Sequence, residues 1–247
     1  MRNISLTIEY DGTNYCGWQP QKQNNLKPSI HEIIESALRQ ILKEKIKLIG
    51  SGRTDSGVHA RHQVANFKTG SNILAANLRK GLNSILPKDI LIKKVSGAPL
   101  DFHSRFSAKS KTYRYVILNR AYHDPFLRNY AYFYPLALDI KAMRREARAL
   151  LGRHNFAAFR ASAGKGRNPL KTLKKIRITK AKELIYIDVA ADGFLYNMAR
   201  NIAGTLIDIG RGKLGKGSLK KILISRDRRK AGFTAPARGL FLMDVAY

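Results

Sequence analysis

Asp55 stands in the run Gly50-Ser51-Gly52-Arg53-Thr54-Asp55-Ser56-Gly57-Val58-His59-Ala60, between glycines and two positions after an arginine. A carboxylate placed there can add covalently to a substrate or assist cleavage of a glycosidic bond. The whole chain carries 46 Lys+Arg against 17 Asp+Glu, so an acid at the centre of a tight basic loop needs a reason. Gly, Asp and Ser are also the residues that build turns, by adopting positive φ or by bonding their own backbone. Taken alone, the run reads as a turn that happens to hold an acid. Other residues have to decide between a turn and a positioned nucleophile.

Three segments are suited to meet Asp55. In Lys111-Thr112-Tyr113-Arg114-Tyr115, strand alternation sets Tyr113 and Tyr115 on one face and Arg114 on the other. Tyr113 can stack on a base, which contributes about 1–3 kcal/mol, or it can be half-buried core. In the stretch Phe194–Gly204, Phe194, Met198 and Ile202 share a helical face that suits a core. Arg200 interrupts this mostly apolar helix, and a buried guanidinium needs an anion, for which Asp55 is a natural partner. In Arg238-Gly239-Leu240-Phe241-Leu242, Gly239 permits close backbone approach and Leu240 can line a pocket. His59 and His62 have a metal-like spacing, but no cysteine or nearby carboxylate cluster completes a site.

The elements that must position these residues follow from periodicity. Alternating Ile4, Leu6, Ile8 and Tyr10 predict a strand over Asn3–Glu9 that ends at the Asp11-Gly12 turn. Ile30, Ile33, Ile34, Ala37, Leu38, Ile41 and Leu42 predict an amphipathic helix, with Ser29 as its N-cap. Strands are expected at Lys45–Ile49, Gln63–Lys68 and Ile90–Val95, with a helix over residues 72–85 stopped before Pro87. The second part repeats the order. Strands are expected at Lys111–Asn119, Leu173–Thr179, Leu184–Ala190 and Leu240–Tyr247, and helices at Asp139–Leu151 and Phe194–Ile209. Phe159–Pro169 and Gly210–Pro236 read as long basic loops. The expected fold class is therefore α+β, with two ferredoxin-like β-α-β-β-α-β halves, 1–104 and 105–247.

The 247 residues carry a net charge of +29 with 44% hydrophobic residues, which describes a folded protein with a polyanionic partner, nucleic acid first. Residues 1–100 hold 15 basic and 7 acidic side chains and residues 101–247 hold 31 and 10, so the later half is expected to supply most phosphate contacts. Arg144–Arg148, Lys171–Lys182 and Lys213–Lys230 are its basic segments, with solvated faces as the plain alternative. The single cysteine, Cys16, excludes an intramolecular disulfide and fits a reducing cytosol. No apolar run approaches the roughly 18 residues of a membrane span, and the early strand pattern leaves no room for a signal peptide.

Several of these segments, taken in order, resemble the TruA family of tRNA pseudouridine synthases. They are Ile8-Glu9-Tyr10-Asp11-Gly12 with Gly17-Trp18-Gln19, the run 52–60, Phe102-His103-Ser104-Arg105-Phe106-Ser107, the Lys111–Tyr115 strand, residues 194–206 and residues 239–242. The resemblance implies the pseudouridine synthase fold, its two sheets joined around a central basic cleft. It implies isomerisation of uridine to pseudouridine at positions 38, 39 and 40 of the tRNA anticodon stem-loop, by a cytoplasmic homodimer that needs no cofactor or metal. It implies that Asp55 is the catalytic aspartate, Tyr113 the active-site tyrosine and Arg200 the partner of the aspartate. Arg53 would take the place of the flipped nucleotide, Leu240 would line the pocket, and Arg105 would join Arg53, Tyr113 and Leu240 in holding substrate. Ser56 stands where the family usually has alanine, Asn197 where histidine is common and Ala199 where valine is common. The Leu26-Lys27-Pro28 approach to the first helix and the Gly164–Arg167 loop are individual to this chain.

The isomerisation breaks a C–N glycosidic bond and forms a C–C bond without net redox change, so these residue types suffice for it. Asp55 has to be ionised, and a neighbouring Arg200 would lower its pKa. Attack on the base and attack or proton abstraction at the sugar both remain open to it. A non-catalytic RNA-binding module has no use for a lone carboxylate facing an anionic ligand. A two-metal nuclease wants clustered acids that are absent from the motifs.

Overall fold

In this computed structural model, which describes residues 1–20, 27–161 and 168–247, the alternation of Ile4, Leu6, Ile8 and Tyr10 builds β1 (Arg2–Tyr10), with those four side chains buried. The chain divides into two units, Met1–Lys109 with Leu242–Tyr247, and Ser110–Phe241. The last six residues thus go with the first unit, whereas the sequence reading kept all of 105–247 together.

In the first unit β1 is followed by α1 (Ile30–Leu42), β2 (Ile49–Gly50), β3 (His59–Thr69), α2 (Ala75–Ile85) and β4 (Ile90–Ala98). β1 pairs antiparallel with both β3 and β4, and β2 pairs with β3, which is the ferredoxin-like arrangement expected from the element order. The Ser29 side chain accepts the Glu32 N–H and Glu32 returns to the Ser29 N–H, so α1 starts with a complete capping box. It buries Ile30, Ile34, Ala37, Leu38 and Leu42, while α2 buries Leu78 and Leu82 and packs on α1 and β4.

The strand expected at Lys45–Ile49 shrinks to Ile49–Gly50. Its burial alternates as a strand's would, with Ile46 and Leu48 inside. The Leu48 N–H, however, donates to Glu35 Oε2 at 2.9 Å, and its carbonyl meets His31 Nε2 at 2.8 Å. Side chains of α1 satisfy the backbone groups that a neighbouring strand would otherwise take.

The second unit contains β5 (Ser110–Leu118), β6 (Tyr132–Phe133), α3 (Ile140–Ala147), β7 (Gly152–Asn155), β8 (Leu170–Ala181), β9 (Leu184–Ala191), α4 (Met198–Gly210) and α5 (Ser218–Ser225). β9 pairs antiparallel with β5 and β8, β7 extends the sheet beyond β8, and β6 runs parallel to β5. β10 (Leu240–Ala246) comes last in the chain and completes the second β-α-β-β-α-β order. Every residue of α4 is buried except Arg200, the polar Asn201, Thr205 and Asp208 included.

Three sequence expectations change here. α3 ends at Ala147 and gives way to a 3-10 turn before Leu151, so it is shorter than Asp139–Leu151. α4 begins at Met198 rather than Phe194, because Asn197 adopts φ 59° and breaks the helical path. Gly210–Pro236 is not a plain loop, since it contains α5 and a 3-10 turn at Arg228–Lys230. The start of α5 is held by Glu146, whose Oε1 accepts the Gly217 N–H at 3.0 Å, a partner 71 positions away that no local signal reveals. Residues 162–167, including the Gly164–Arg167 loop, and residues 21–26, including Leu26, lie outside the described residues.

Replacing Ser29 by Ala removes both halves of the capping box. The expected loss is about 1 kcal/mol of stability. Urea unfolding followed by far-UV circular dichroism would show it as a lower midpoint with an unchanged slope.

Candidate active site

The loop that carries Asp55 is fixed from both sides of the aspartate. Ser51 N–H donates to the Val64 carbonyl at 2.7 Å and its hydroxyl donates to Gln63 Oε1 at 2.6 Å. Gln63 Nε2 in turn donates to the Gly52 carbonyl at 3.0 Å, so one buried side chain on β3 ties down both Ser51 and Gly52. The Thr54 carbonyl accepts the Trp18 N–H at 3.0 Å, and the Thr54 hydroxyl shares a 2.7 Å hydrogen bond with Tyr10. Burial pushes the Tyr10 phenol far above its usual pKa, against the opposing pull of its hydrogen bonds to Thr54 and Gln63. That phenol therefore stays neutral. Beyond the aspartate, Val58 N–H closes back on the Asp55 carbonyl at 3.1 Å, and Ser56 Oγ donates to the Tyr15 carbonyl at 3.0 Å.

Glycines make this packing possible. Gly17 has φ +109° and bridges to Asp55, and a Cβ on it would come within 2.5 Å of the Thr54 carbonyl oxygen. A Cβ on Gly50 would run into the Trp18 indole, which is itself buried. The result is a half-buried Asp55 beside an exposed Arg53. His59 is buried with Nδ1 3.0 Å from Asp11 Oδ1 and 3.1 Å from the Gly12 nitrogen, so it braces the Asp11-Gly12 turn. His62 instead lies 3.5 Å from Asp244. Among the described residues no group of three or more His, Cys, Asp and Glu gathers to hold a metal.

Arg105 is also in the first unit, at the tip of a turn anchored beside β2 and β3. Ser104 is fully buried, its N–H on Asn66 Oδ1 at 2.9 Å and its hydroxyl on the Ile49 carbonyl at 2.5 Å. Tyr247 donates its hydroxyl to the Ser104 carbonyl at 2.7 Å and packs its ring on Phe102. The anchored turn leaves Arg105 exposed over the ring of the equally exposed Phe106. A cation and an aromatic ring are thereby offered to solvent on a rigid base.

Tyr113, Arg200 and Leu240 belong to the second unit. Tyr113 and Tyr115 do share a face of β5, and Arg114 points the other way to a bidentate pair with Asp188 at 2.7 and 2.9 Å. Tyr113 is buried and meets Phe194 edge-on, with ring centroids 4.8 Å apart. Tyr115 is core: its hydroxyl donates to the Pro236 carbonyl, and Gly239 is packed so closely that a Cβ would lie 2.8 Å from its ring. Burial raises the Tyr115 pKa strongly, against the opposing charges of Arg200 and Arg238. Leu240 is buried where β10 begins.

Arg200 is aimed by its surroundings. Its Nε donates to the Ala235 carbonyl at 2.7 Å and its Nη1 to Asn197 Oδ1 at 3.1 Å. Asn197 can do this because its left-handed backbone frees its side chain from capping α4, and Asn tolerates that conformation better than most residues. The sequence reading singled out Asn197 only as a departure from the family pattern. A polar residue directly before a buried helix, three positions from its one arginine, was the available signal.

The sequence profile of the tRNA pseudouridine synthase family matches residues 6–107 and 147–247. A tRNA pseudouridine synthase A of Caldicellulosiruptor bescii is 49% identical over 247 residues, covering 100% of both chains. That of Thermoanaerobacter sp. strain X514 is 44% identical over the same span, and tRNA pseudouridine synthase A 2 of Clostridium tetani is 47% identical over 246 residues. Among solved structures, an archaeal box H/ACA sRNP Nop10-Cbf5 complex aligns with TM-score 0.38 and 11% identity, over 83% of this chain and 43% of that one. With an α+β fold, a rigid aspartate loop and relatives matched end to end, the chain belongs to the tRNA pseudouridine synthase family.

Gly17→Ala tests whether the close approach at Thr54 shapes the loop. It combines a strained φ with a clash, and the expected outcome is about 1–3 kcal/mol of lost stability together with at least about tenfold slower pseudouridine formation. Gly212 has a comparable φ of +77° but nothing within 4 Å of its would-be Cβ. Gly212→Ala should therefore cost stability alone, and a thermal melt beside a turnover assay separates the two effects.

Proposed function

We propose that this protein isomerises uridine to pseudouridine at positions 38, 39 and 40 of the tRNA anticodon stem-loop, with Asp55 as the nucleophile. The observation that carries this reading is the profile match across 6–107 and 147–247, which includes Asp55, Arg53, Arg105, Arg200 and Leu240. Tyr113 falls between the two matched segments, within the full-length alignment to the relatives. The fixed loop around Asp55 supports the role, since a nucleophile must arrive at one defined place.

In the proposed reaction the target uridine leaves the stack, because its reacting atoms are out of reach inside a helix. The exposed Arg53 takes the vacated space and touches phosphate. Tyr113 holds the flipped base, braced edge-on by Phe194. Asp55 adds covalently or assists cleavage of the glycosidic bond, the base turns, and its C5 joins the sugar while the C5 proton leaves. Arg200 keeps the carboxylate ionised, Leu240 lines the pocket and Arg105 contributes to RNA binding. The chemistry is redox-neutral and draws on no cofactor. The same reading makes the protein a homodimer of the cytoplasm. No helix among the described residues is long and apolar enough to cross a membrane.

Asp55→Asn should abolish tritium release from tRNA labelled at uridine C5 while leaving tRNA affinity intact. Normal turnover in that variant would sink the mechanism. Mapping pseudouridine in tRNA incubated with and without the protein tests the three positions directly. With a net charge of +29, binding should weaken about tenfold or more as salt rises from about 50 to about 200 mM. A flat salt dependence would contradict the phosphate contacts.

A further inference from the structure

Arg228 lies in the basic segment Lys213–Lys230, which as sequence suggested phosphate contacts or a solvated face. Its neighbour Arg229 behaves that way, highly exposed and paired with Asp227. Arg228 turns inward. Its Nη1 donates to the Gly232 carbonyl at 2.8 Å, and its Nη2 donates to Asn201 Oδ1 and to Thr234 Oγ1, both at 3.0 Å. Thr234 Oγ1 donates to the same Asn201 Oδ1 at 2.7 Å, and Asn201 Nδ2 donates to the Phe159 carbonyl at 2.8 Å. A charged guanidinium held by neutral acceptors in a partly buried place is costly unless the fork it makes is needed.

The fork clamps residues 232–235 flat on α4. Gly204 lets the segment approach, since a Cβ there would overlap the Phe233 carbonyl. The Gly232 N–H sits on Thr205 Oγ1 at 2.9 Å. At the segment's far end Ala235 and Arg200 exchange bonds: the Ala235 N–H donates to the Arg200 carbonyl at 3.2 Å, and the Ala235 carbonyl accepts Arg200 Nε at 2.7 Å. The position of that carbonyl sets the direction in which the Arg200 guanidinium projects.

We propose that Arg228 is a positioning residue for the isomerisation: through Thr234, Asn201 and the backbone of 232–235 it fixes the Ala235 carbonyl and thereby aims Arg200. This rests on Arg200 acting at the reaction centre, as proposed above. Lysine at 228 keeps the charge but cannot bridge Gly232, Thr234 and Asn201 with one planar group. Thr234→Val keeps the shape and removes the hydroxyl shared by Arg228 and Asn201.

The test compares single-turnover rates, at saturating protein, for Arg228→Lys and Thr234→Val in the wild type and in an Arg200→Lys background. Each change is expected to slow pseudouridine formation about tenfold or more in the wild type, with the tRNA dissociation constant unchanged. Neither should slow it further once Arg200 is lysine, because no guanidinium is left to aim. A purely structural role would lower the melting temperature and the rate together in both backgrounds. If the rate losses multiply, or if both single variants turn over normally, Arg228 does not act through Arg200 and the proposal is overturned. If Arg200→Lys itself turns over normally, the role given to Arg200 falls first, and the positioning role falls with it. Should Arg228→Lys fail to fold, Thr234→Val alone decides in both backgrounds.

Discussion

Thr54 is bonded twice, through its carbonyl to the Trp18 backbone and through its hydroxyl to Tyr10, and the geometry next to it depends on those two bonds. Each contributes only about 1 kcal/mol net, but a buried polar atom left unpaired there would cost more. Tyr10 is the last residue of β1 and Trp18 lies just beyond the turn that follows, so the Asp55 loop inherits the rigidity of the central strand. Gly17 and Gly50 have to be glycine for the same reason, since the segments they belong to touch the loop and the indole at backbone distance. The first unit is in this sense a frame for one half-buried carboxylate.

The second unit solves a different problem. α4 is buried on all sides except at Arg200, so a guanidinium emerges from a buried helix and must be steadied by what lies around it. The Asn197 amide oxygen and the Ala235 carbonyl, both neutral, accept from it. Neutral acceptors of this kind orient a guanidinium without cancelling its charge. Tyr113 and Tyr115 show a similar division on β5: one ring packs beside Phe194, while the other is locked into the core by Pro236 and Gly239.

The excess of positive charge is not all directed at a ligand. Arg114 is tied to Asp188, Arg120 to Glu183 and Asp124, and Arg144 to the Ile178 carbonyl. These arginines connect strands, loops and helices inside the second unit. Counting basic residues along the chain therefore overstates the surface offered to RNA in that unit. The pull on a polyanion still stands, because a net charge of +29 over 247 residues leaves many cations with no internal acid to meet.

Periodicity in the sequence determined most of the strands and helices, the Ser29 cap, the repeated element order and the division of faces at Tyr113, Arg114 and Tyr115. Each of these depends on side chains only a few positions apart, and the ordered motifs along the chain, the Asp55 run among them, were enough to name the family. Tertiary structure decided what depends on distant partners. Glu35 and His31 take the backbone of Leu48 out of a strand, and Glu146 caps a helix that looked like a loop. Arg228 faces inward to Asn201, 27 positions away, while its neighbour faces water. A hydrogen bond between residues far apart leaves no trace in local spacing. The sequence could therefore show which residues are able to do chemistry, and only the fold shows what holds them in place.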